Sequence, residues 1–261
     1  MSQVALVTGA ARGIGAASVD ALVAAGWSVL AVDRCRDVEG VGYAMATAAD
    51  LDALAARHPG RVLSLVGDAR SAQDMSLAVE TAVSQLGGLH AAVACAGVVA
   101  GGTTLWETPD DVYDAVLSVN LEGVRRLFAA TVPVLLDAPR PRHGRLVAIG
   151  SAASHLGLLH LAAYSASKHA VVGLVRGLAA DLADTGVTAN AVCPGSTRTA
   201  GLEASAAIYG LSSPESFAAH QPIGRLLEPS EPAAMVAWLC SEAASGVTGA
   251  AIAVDGGMTS T

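Results

Sequence analysis

Tyr164 and Lys168 stand four residues apart in the run Tyr164-Ser165-Ala166-Ser167-Lys168. On a helix that spacing sends both side chains from one face. An ammonium beside a phenol favours the phenolate, so the pair could give or take a proton near neutral pH. The spacing alone is also that of two ordinary surface residues, and the surrounding sequence has to decide. Ser151 ends the apolar run 146–149 and lies 13 residues before Tyr164. Asn120 lies in Val119-Asn120-Leu121, within a long helical stretch.

The elements that would position these groups begin at the N-terminus. An apolar run at 4–7 leads into Thr8-Gly9-Ala10-Ala11-Arg12-Gly13-Ile14-Gly15, then an Ala-rich stretch at 16–25, then a second apolar run ending in Asp33. This is strand, glycine turn, helix, strand, acid. The glycines permit a tight turn and close approach of backbone to a pyrophosphate, and the helix N-terminus offers free N–H groups and a positive dipole end. An acid about 20 residues past the glycines can accept both ribose hydroxyls of an adenosine. No Gly-Lys-Ser/Thr follows, so the turn is not a P-loop.

Together these residues make the chain resemble the short-chain dehydrogenase/reductase family, from Val4 to Gly257. The motif Thr8-Gly9-x-x-x-Gly13-Ile14-Gly15 has that family's spacing, and Arg12 sits inside it. The resemblance implies that Asp68 contacts adenine, with Ala69 beside it. Ala96 and Gly97 match the end of the family's Asn-Asn-Ala-Gly turn. Pro194, Gly195, Thr197 and Thr199 match the turn that meets the nicotinamide, and Asp255-Gly256-Gly257 the C-terminal signature. It also implies a tetrad. Tyr164 is the general acid/base, Lys168 lowers its pKa and holds the nicotinamide ribose, Ser151 orients the substrate oxygen, and Asn120 carries a proton relay to Lys168 through water. The expected cofactor is NAD, because the Asp33 carboxylate would repel a 2′-phosphate, although Arg12 and Arg34 are near enough to complicate that choice.

The chain departs from the family in two places. The Asn-Asn-Ala-Gly turn reads Ala94-Cys95-Ala96-Gly97, which puts its local stability in question. The connection from Asp33 to Asp68 is about ten residues longer than the resemblance implies, since a crossover needs only about a dozen. Residues 34–45 read as an extra loop and 48–57 as the crossover helix. Val38, Val41, Tyr43 and Met45 are apolar, so the loop should pack on something, with the adenosine end of the cofactor nearest. With the Pro139-Arg140-Pro141-Arg142 approach to the fifth strand, it resembles a subgroup associated with the peptide-derived redox carrier mycofactocin. In that subgroup NAD is held without exchange and reoxidised in place. A surface loop of no consequence remains the alternative.

Composition fits one soluble domain over residues 1–261. Hydrophobic residues make up 52% and aromatics 3%, so the core must be built from Ala, Val and Leu. Mean hydropathy is +0.50, yet no apolar run reaches the about 18 residues of a membrane span. No basic leader precedes the first strand, so the expectation is a cytoplasmic protein. The net charge of −8 and the lack of a basic stripe argue against nucleic acid. Four scattered cysteines read as reduced thiols, and neither they nor the histidines have metal-ligand spacing. Strands alternate with helices throughout. The expected fold class is therefore α/β, a single Rossmann-type doubly wound parallel sheet in the order 3-2-1-4-5-6 with a seventh edge strand. The resemblance implies a homotetramer built on residues 109–136, 163–183 and 250–254.

The substrate pocket should draw on Leu156, Leu158, Leu159, Leu161, Leu202, Ile208 and Leu211, with His155 and His160 at its flank. Few charges fall there, so an uncharged, fairly apolar secondary alcohol or ketone is expected. A protein that binds the dinucleotide as a sensor or structural subunit, without catalysis, is the alternative class. An epimerase or dehydratase would need a longer C-terminal part than the residues after Thr199 supply.

Overall fold

A computed structural model describes residues 3–260. Seven parallel strands form one sheet in the order β3-β2-β1-β4-β5-β6-β7. They are β1 (Val4–Thr8), β2 (Ser28–Asp33), β3 (Val62–Val66), β4 (Ala91–Ala94), β5 (Arg145–Ile149), β6 (Thr188–Pro194) and β7 (Ala251–Val254). The strand order reverses between β1 and β4, which places a crevice at their carboxyl ends. β1, β4, β5 and β6 are buried at every position. That is why they read as unbroken apolar runs instead of alternating ones.

Helices cover both faces. On one side α3 (Ala72–Leu86), α5 (Gly123–Asp137) and α6 (Ala162–Asp181) contribute to a core with Leu6, Leu30 and Leu146. On the other, α1 (Gly13–Ala24), α2 (Ala48–Arg57) and α8 (Ser230–Cys240) close over Val7, Val29 and Val147. Trp27 and Phe128 are the only aromatic residues in these two clusters, so small aliphatic side chains do the packing.

The expected crossover helix at 48–57 is α2. Thr47 caps it, accepting from the Asp50 N–H while the Asp50 carboxylate accepts from the Thr47 N–H. The long helical stretch expected at 109–136 is instead α4 (Asp110–Leu117), a π-turn at Ser118–Glu122 and then α5. A π-turn inserts one residue into the helical ladder and often marks a functional position; here it contains Asn120.

The extra loop packs, but not chiefly where its sequence suggested. Val38 is buried against Val98, Ala115, Val116 and Ala163, with Val41, Met45 and Tyr164 at the edge of the same cluster. Gly40 has φ +78, and a Cβ there would lie 2.9 Å from the Asp111 carbonyl oxygen. The loop therefore seats on α4 and the segment after β4, reaching toward Tyr164 as well as the β2 end. It also braces itself, since the Met45 N–H donates to Asp37 Oδ1 at 2.8 Å and the Val41 N–H to the Val38 carbonyl at 3.1 Å.

Candidate active site

One cavity of about 600 Å³ runs along the carboxyl ends of the strands. Asp33, Asp68 and Arg70 line one end, Gly9, Gly13 and Ile14 the middle, and Ser151, Tyr164 and Lys168 the other end. Each residue expected to touch the cofactor lines this cavity, Arg12, Gly15, Ala69, Ala96, Gly97, Pro194, Gly195, Thr197 and Thr199 included.

Its proton-handling end is built from β5 and α6. Ser151 follows β5 directly, and its Oγ accepts from the Ala153 N–H at 3.1 Å. Ser154, which the sequence did not flag, fixes this turn. Its Oγ accepts from the Ser151 N–H at 3.1 Å and donates to the Lys168 carbonyl at 2.9 Å. Tyr164 and Lys168 share one face of α6, with Lys168 Nζ 5.8 Å from the Tyr164 ring centroid. Lys168 is 5% exposed and donates to the Ile149 carbonyl at 2.8 Å.

Burial governs the electrostatics of both ionisable groups. Burial pushes the Tyr164 phenol up to about 12, although the hydrogen bond with Ser151 pulls it down. Burial also lowers Lys168 to about 8, opposed only by the nearby thiols of Cys193 and Cys95. Spacing alone predicted that Lys168 would favour the phenolate near neutral pH. In this arrangement desolvation wins for both groups, because a low-dielectric site disfavours phenolate and ammonium alike.

Asn120 is completely buried and does not line the cavity. Its Oδ1 accepts from the Val98 N–H at 2.8 Å, and its Nδ2 donates to the Val98 carbonyl at 2.9 Å and to Ser167 Oγ at 3.1 Å. Both amide hydrogens are thus used on neighbours other than Lys168. The side chain pins the segment after β4 instead of forming a direct link to the amine.

The middle of the cavity fits a dinucleotide. A Cβ on Gly9 would come within 2.6 Å of the Ala96 backbone, and one on Gly15 within 1.9 Å of the Gly9 carbonyl. The two turns therefore close on each other backbone to backbone, leaving main chain facing the cavity. No side chain caps α1, whose N-cap is Arg12, so its first-turn N–H groups are open to an anion. Asp33 Oδ2 accepts from the Ala11 N–H at 3.1 Å and Oδ1 from the Cys35 N–H at 3.0 Å. Those bonds aim the carboxylate from the end of β2 and leave lone pairs for ribose hydroxyls.

Leu158, Leu159, Leu161, Leu202 and Leu211 line the substrate end as expected, while Leu156, Ile208, His155 and His160 do not. Tyr209, Phe217 and His220 also line it; they fall inside the segment 199–227 expected to form the pocket but were not singled out, and Tyr43 of the extra loop and Met258 join them. α7 (Ala200–Ile208) leads into Tyr209, whose Oη donates to the Leu159 carbonyl at 2.7 Å and whose ring meets Phe217 edge-on. A faint signal existed, because the chain has only four tyrosines and three of them line this cavity. No cluster of metal-ligating side chains and no helix long and apolar enough to cross a membrane occurs among the described residues.

Known proteins resemble this chain over nearly its whole length. A family model described as enoyl-(acyl carrier protein) reductase matches residues 9–259. A putative ketoacyl reductase of Streptomyces coelicolor is 37% identical over 98% of this chain and 97% of its own length. The (−)-trans-carveol dehydrogenase of Rhodococcus erythropolis is 34% identical over 98% and 97% respectively. A crystal structure of carveol dehydrogenase from Mycobacterium avium in complex with NAD superposes with a TM-score of 0.92. It shares 28% identity, with 99% of this chain and 98% of that one covered.

The lowered Lys168 pKa makes stability depend on pH in a defined direction. Folded Lys168 releases its proton near 8, whereas the unfolded side chain holds it to about 10.4. Between those values the unfolded state binds more protons, so stability rises with pH. Relative to Lys168→Met, the wild-type chain should gain about 2 kcal/mol between pH 7 and 9.5, measured by urea denaturation of nucleotide-free protein. Parallel curves for the two proteins would show that the amine is not desolvated in this way.

Proposed function

The chain belongs to the short-chain dehydrogenase/reductase family, and from that premise we propose that it moves a hydride between NAD and an uncharged, apolar secondary alcohol or its ketone. The observation that carries this reading is the meeting of Ser151, Tyr164 and Lys168 at one end of the cavity that holds the glycine turn and Asp33. When bound, the nicotinamide supplies the hydride acceptor or donor. Ser151 Oγ holds the substrate oxygen beside the phenol. Tyr164, ionised in the cofactor-bound state, would take the alcohol proton as the carbonyl forms, and the phenol would return it in the reverse direction. Lys168 stands beneath the phenol and toward the nicotinamide ribose. Asn120 contributes by fixing the Val98 segment; a relay to Lys168 would run through water. Asp33 at the strand end favours NAD over NADP, since a 2′-phosphate would meet its carboxylate. The leucines, Phe217 and Met258 support an apolar substrate, as do the carveol dehydrogenases among the relatives. A non-catalytic nucleotide sensor would not need a buried, hydrogen-bonded Ser-Tyr-Lys arrangement. Tyr164→Phe should leave dinucleotide binding nearly intact and cut turnover roughly 10²–10⁴-fold on a verified alcohol. Near-full activity in that variant would remove the tyrosine from its role.

We further propose that NAD is held without free exchange and is reoxidised in place by a carrier such as mycofactocin. What supports this is the roof formed by residues 34–45. Tyr43 Oη accepts from the Val99 N–H at 3.3 Å, and the Arg12 guanidinium lies 5.9 Å from the Tyr43 ring centroid. Arg12 Nη2 also approaches Met45 Sδ at 3.9 Å. Three segments, the glycine turn, the extra loop and the segment after β4, thus join across the cavity. Each ~1.4 kcal/mol such contacts add slows release tenfold. Protein purified without added nucleotide should carry NAD, not NADP, through dialysis and turn over with an artificial electron acceptor better than with free NAD. Recovery of empty protein that turns over freely with added NAD would dismiss the roof as a retention device.

The proposed assembly is a homotetramer. Edge strand β7 is only partly buried in the single chain, which leaves surface for a second copy. A monomeric mass at micromolar concentration by light scattering would contradict it.

A further inference from the structure

Ser151 and Lys168 belong to different elements, and a third residue ties them together. Ser154 is 4% exposed and does not line the cavity. Its Oγ accepts from the Ser151 N–H at 3.1 Å and donates to the Lys168 carbonyl at 2.9 Å. Its own N–H donates to the Ser151 carbonyl at 2.8 Å. Lys168 returns the contact, since its Nζ donates to the Ile149 carbonyl at 2.8 Å. These bonds close a ring. It runs from the end of β5 through Ser151 to Ser154, across to the backbone of α6, and back along the Lys168 side chain to Ile149. One short turn thus grips Lys168 at both its carbonyl and its amine.

The ring is tight. A Cβ on Gly150 would lie 2.9 Å from Ser154 Oγ and 2.8 Å from Cys193 Sγ, so the approach needs a residue without a side chain. Closing the ring takes one group that accepts from an N–H and donates to a carbonyl, which a hydroxyl can do and a methyl cannot. Ser151 Oγ accepts from the Ala153 N–H at 3.1 Å, which leaves its own hydrogen for the Tyr164 oxygen.

We infer that Ser154 is a positioning residue for the reaction, acting through Ser151 and Lys168 to hold the Ser151 hydroxyl against the Tyr164 oxygen. This rests on the dehydrogenase reading above and adds to it a residue that lies outside the cavity. A hydroxyl that donates to phenolate stabilises it, so loosening Ser151 makes Tyr164 harder to ionise. The titratable groups packed around Tyr164 are Lys168 of α6, Tyr43 of the extra loop, Tyr113 of α4 and Cys193 of β6. Cys193 also touches Ser154, yet burial pushes its thiol up, so it stays neutral and removal of the Ser154 hydroxyl changes no charge in this group.

NMR of ring-labelled tyrosine in NAD-saturated protein reads the ionisation of Tyr164, whose signal among four tyrosines is the one lost in Tyr164→Phe. The pH dependence of turnover on a verified alcohol is measured alongside. Ser154→Ala should move the ionisation of Tyr164 and the rising limb of turnover up by about one pH unit, with NAD affinity unchanged. Val175→Ala, which opens a cavity on the buried face of α6 outside the ring, should lower the melting temperature and leave both in place. A less stable alanine variant with unmoved ionisation would make Ser154 a stability residue alone and overturn the proposal. An equal shift in Val175→Ala would overturn it too. If Ser154→Ala does not fold, Ser154→Cys takes its place, because a thiol is only a weak donor and acceptor. A shift in the same direction is then expected, and an unmoved titration would sink the proposal. A Tyr164 shift in protein that oxidises no alcohol would uphold the positioning role and strike down the dehydrogenase reading.

Discussion

A primary amine with 5% of its surface exposed lies at the centre of this molecule, held by one hydrogen bond from Lys168 Nζ to the Ile149 carbonyl. Removing an ammonium from water is expensive, and no carboxylate offsets the cost here. The same burial acts on Tyr164 in the opposite sense, raising its phenol to about 12. Both groups are therefore biased toward their uncharged forms. A cationic group held near Tyr164 would favour phenolate. The position of α6 follows from this arrangement. It must sit close enough to β5 for Lys168 to reach Ile149 and for Ser154 to reach the Lys168 carbonyl. Its first turns are rich in Ala and Ser, which permits that approach.

Close contact between backbones governs the other half of the cavity. The glycine turn after β1 and the Ala96 segment after β4 touch without side chains between them. Replacement of the first two residues of the usual turn by Ala94 and Cys95 left its stability in question. The structure answers with Asn120. Its amide holds Val98 at both the N–H and the carbonyl, while the Cys95 N–H bonds the Thr8 carbonyl at 3.2 Å. The π-turn that contains Asn120 sits between two ordinary helices, and its buried amide ties them to the segment after β4 and to Ser167 of α6.

The extra loop has a similar economy. Its apolar residues do not make a flexible flap; Val38 enters a small core of its own with α4 and the segment after β4. From that anchor Tyr43 and Met45 extend over the glycine turn toward Arg12. The loop is thus fixed at its base and joined at its tip, and the proposal of a retained cofactor rests on that.

Much of this was legible in the chain because it is encoded by local spacing. Buried parallel strands appear as short apolar runs, the glycine turn and Asp33 follow a backbone requirement, and Tyr164 and Lys168 share a face through helical periodicity alone. Thr47 and Asp50 mark the start of α2 by the same local logic. Tertiary structure decided the rest. Asp68 meets Arg34, 34 residues earlier, at 3.2 Å, the Asn120 amide meets Val98, and Tyr43 a backbone group 56 residues away. No spacing rule reaches across such separations, since hydrogen bonds go to whichever donors the packed fold brings within about 3 Å. The phenol and ammonium pKa values belong to the same class. The sequence placed the two groups side by side, but only burial, a property of the whole fold, set desolvation above their mutual attraction.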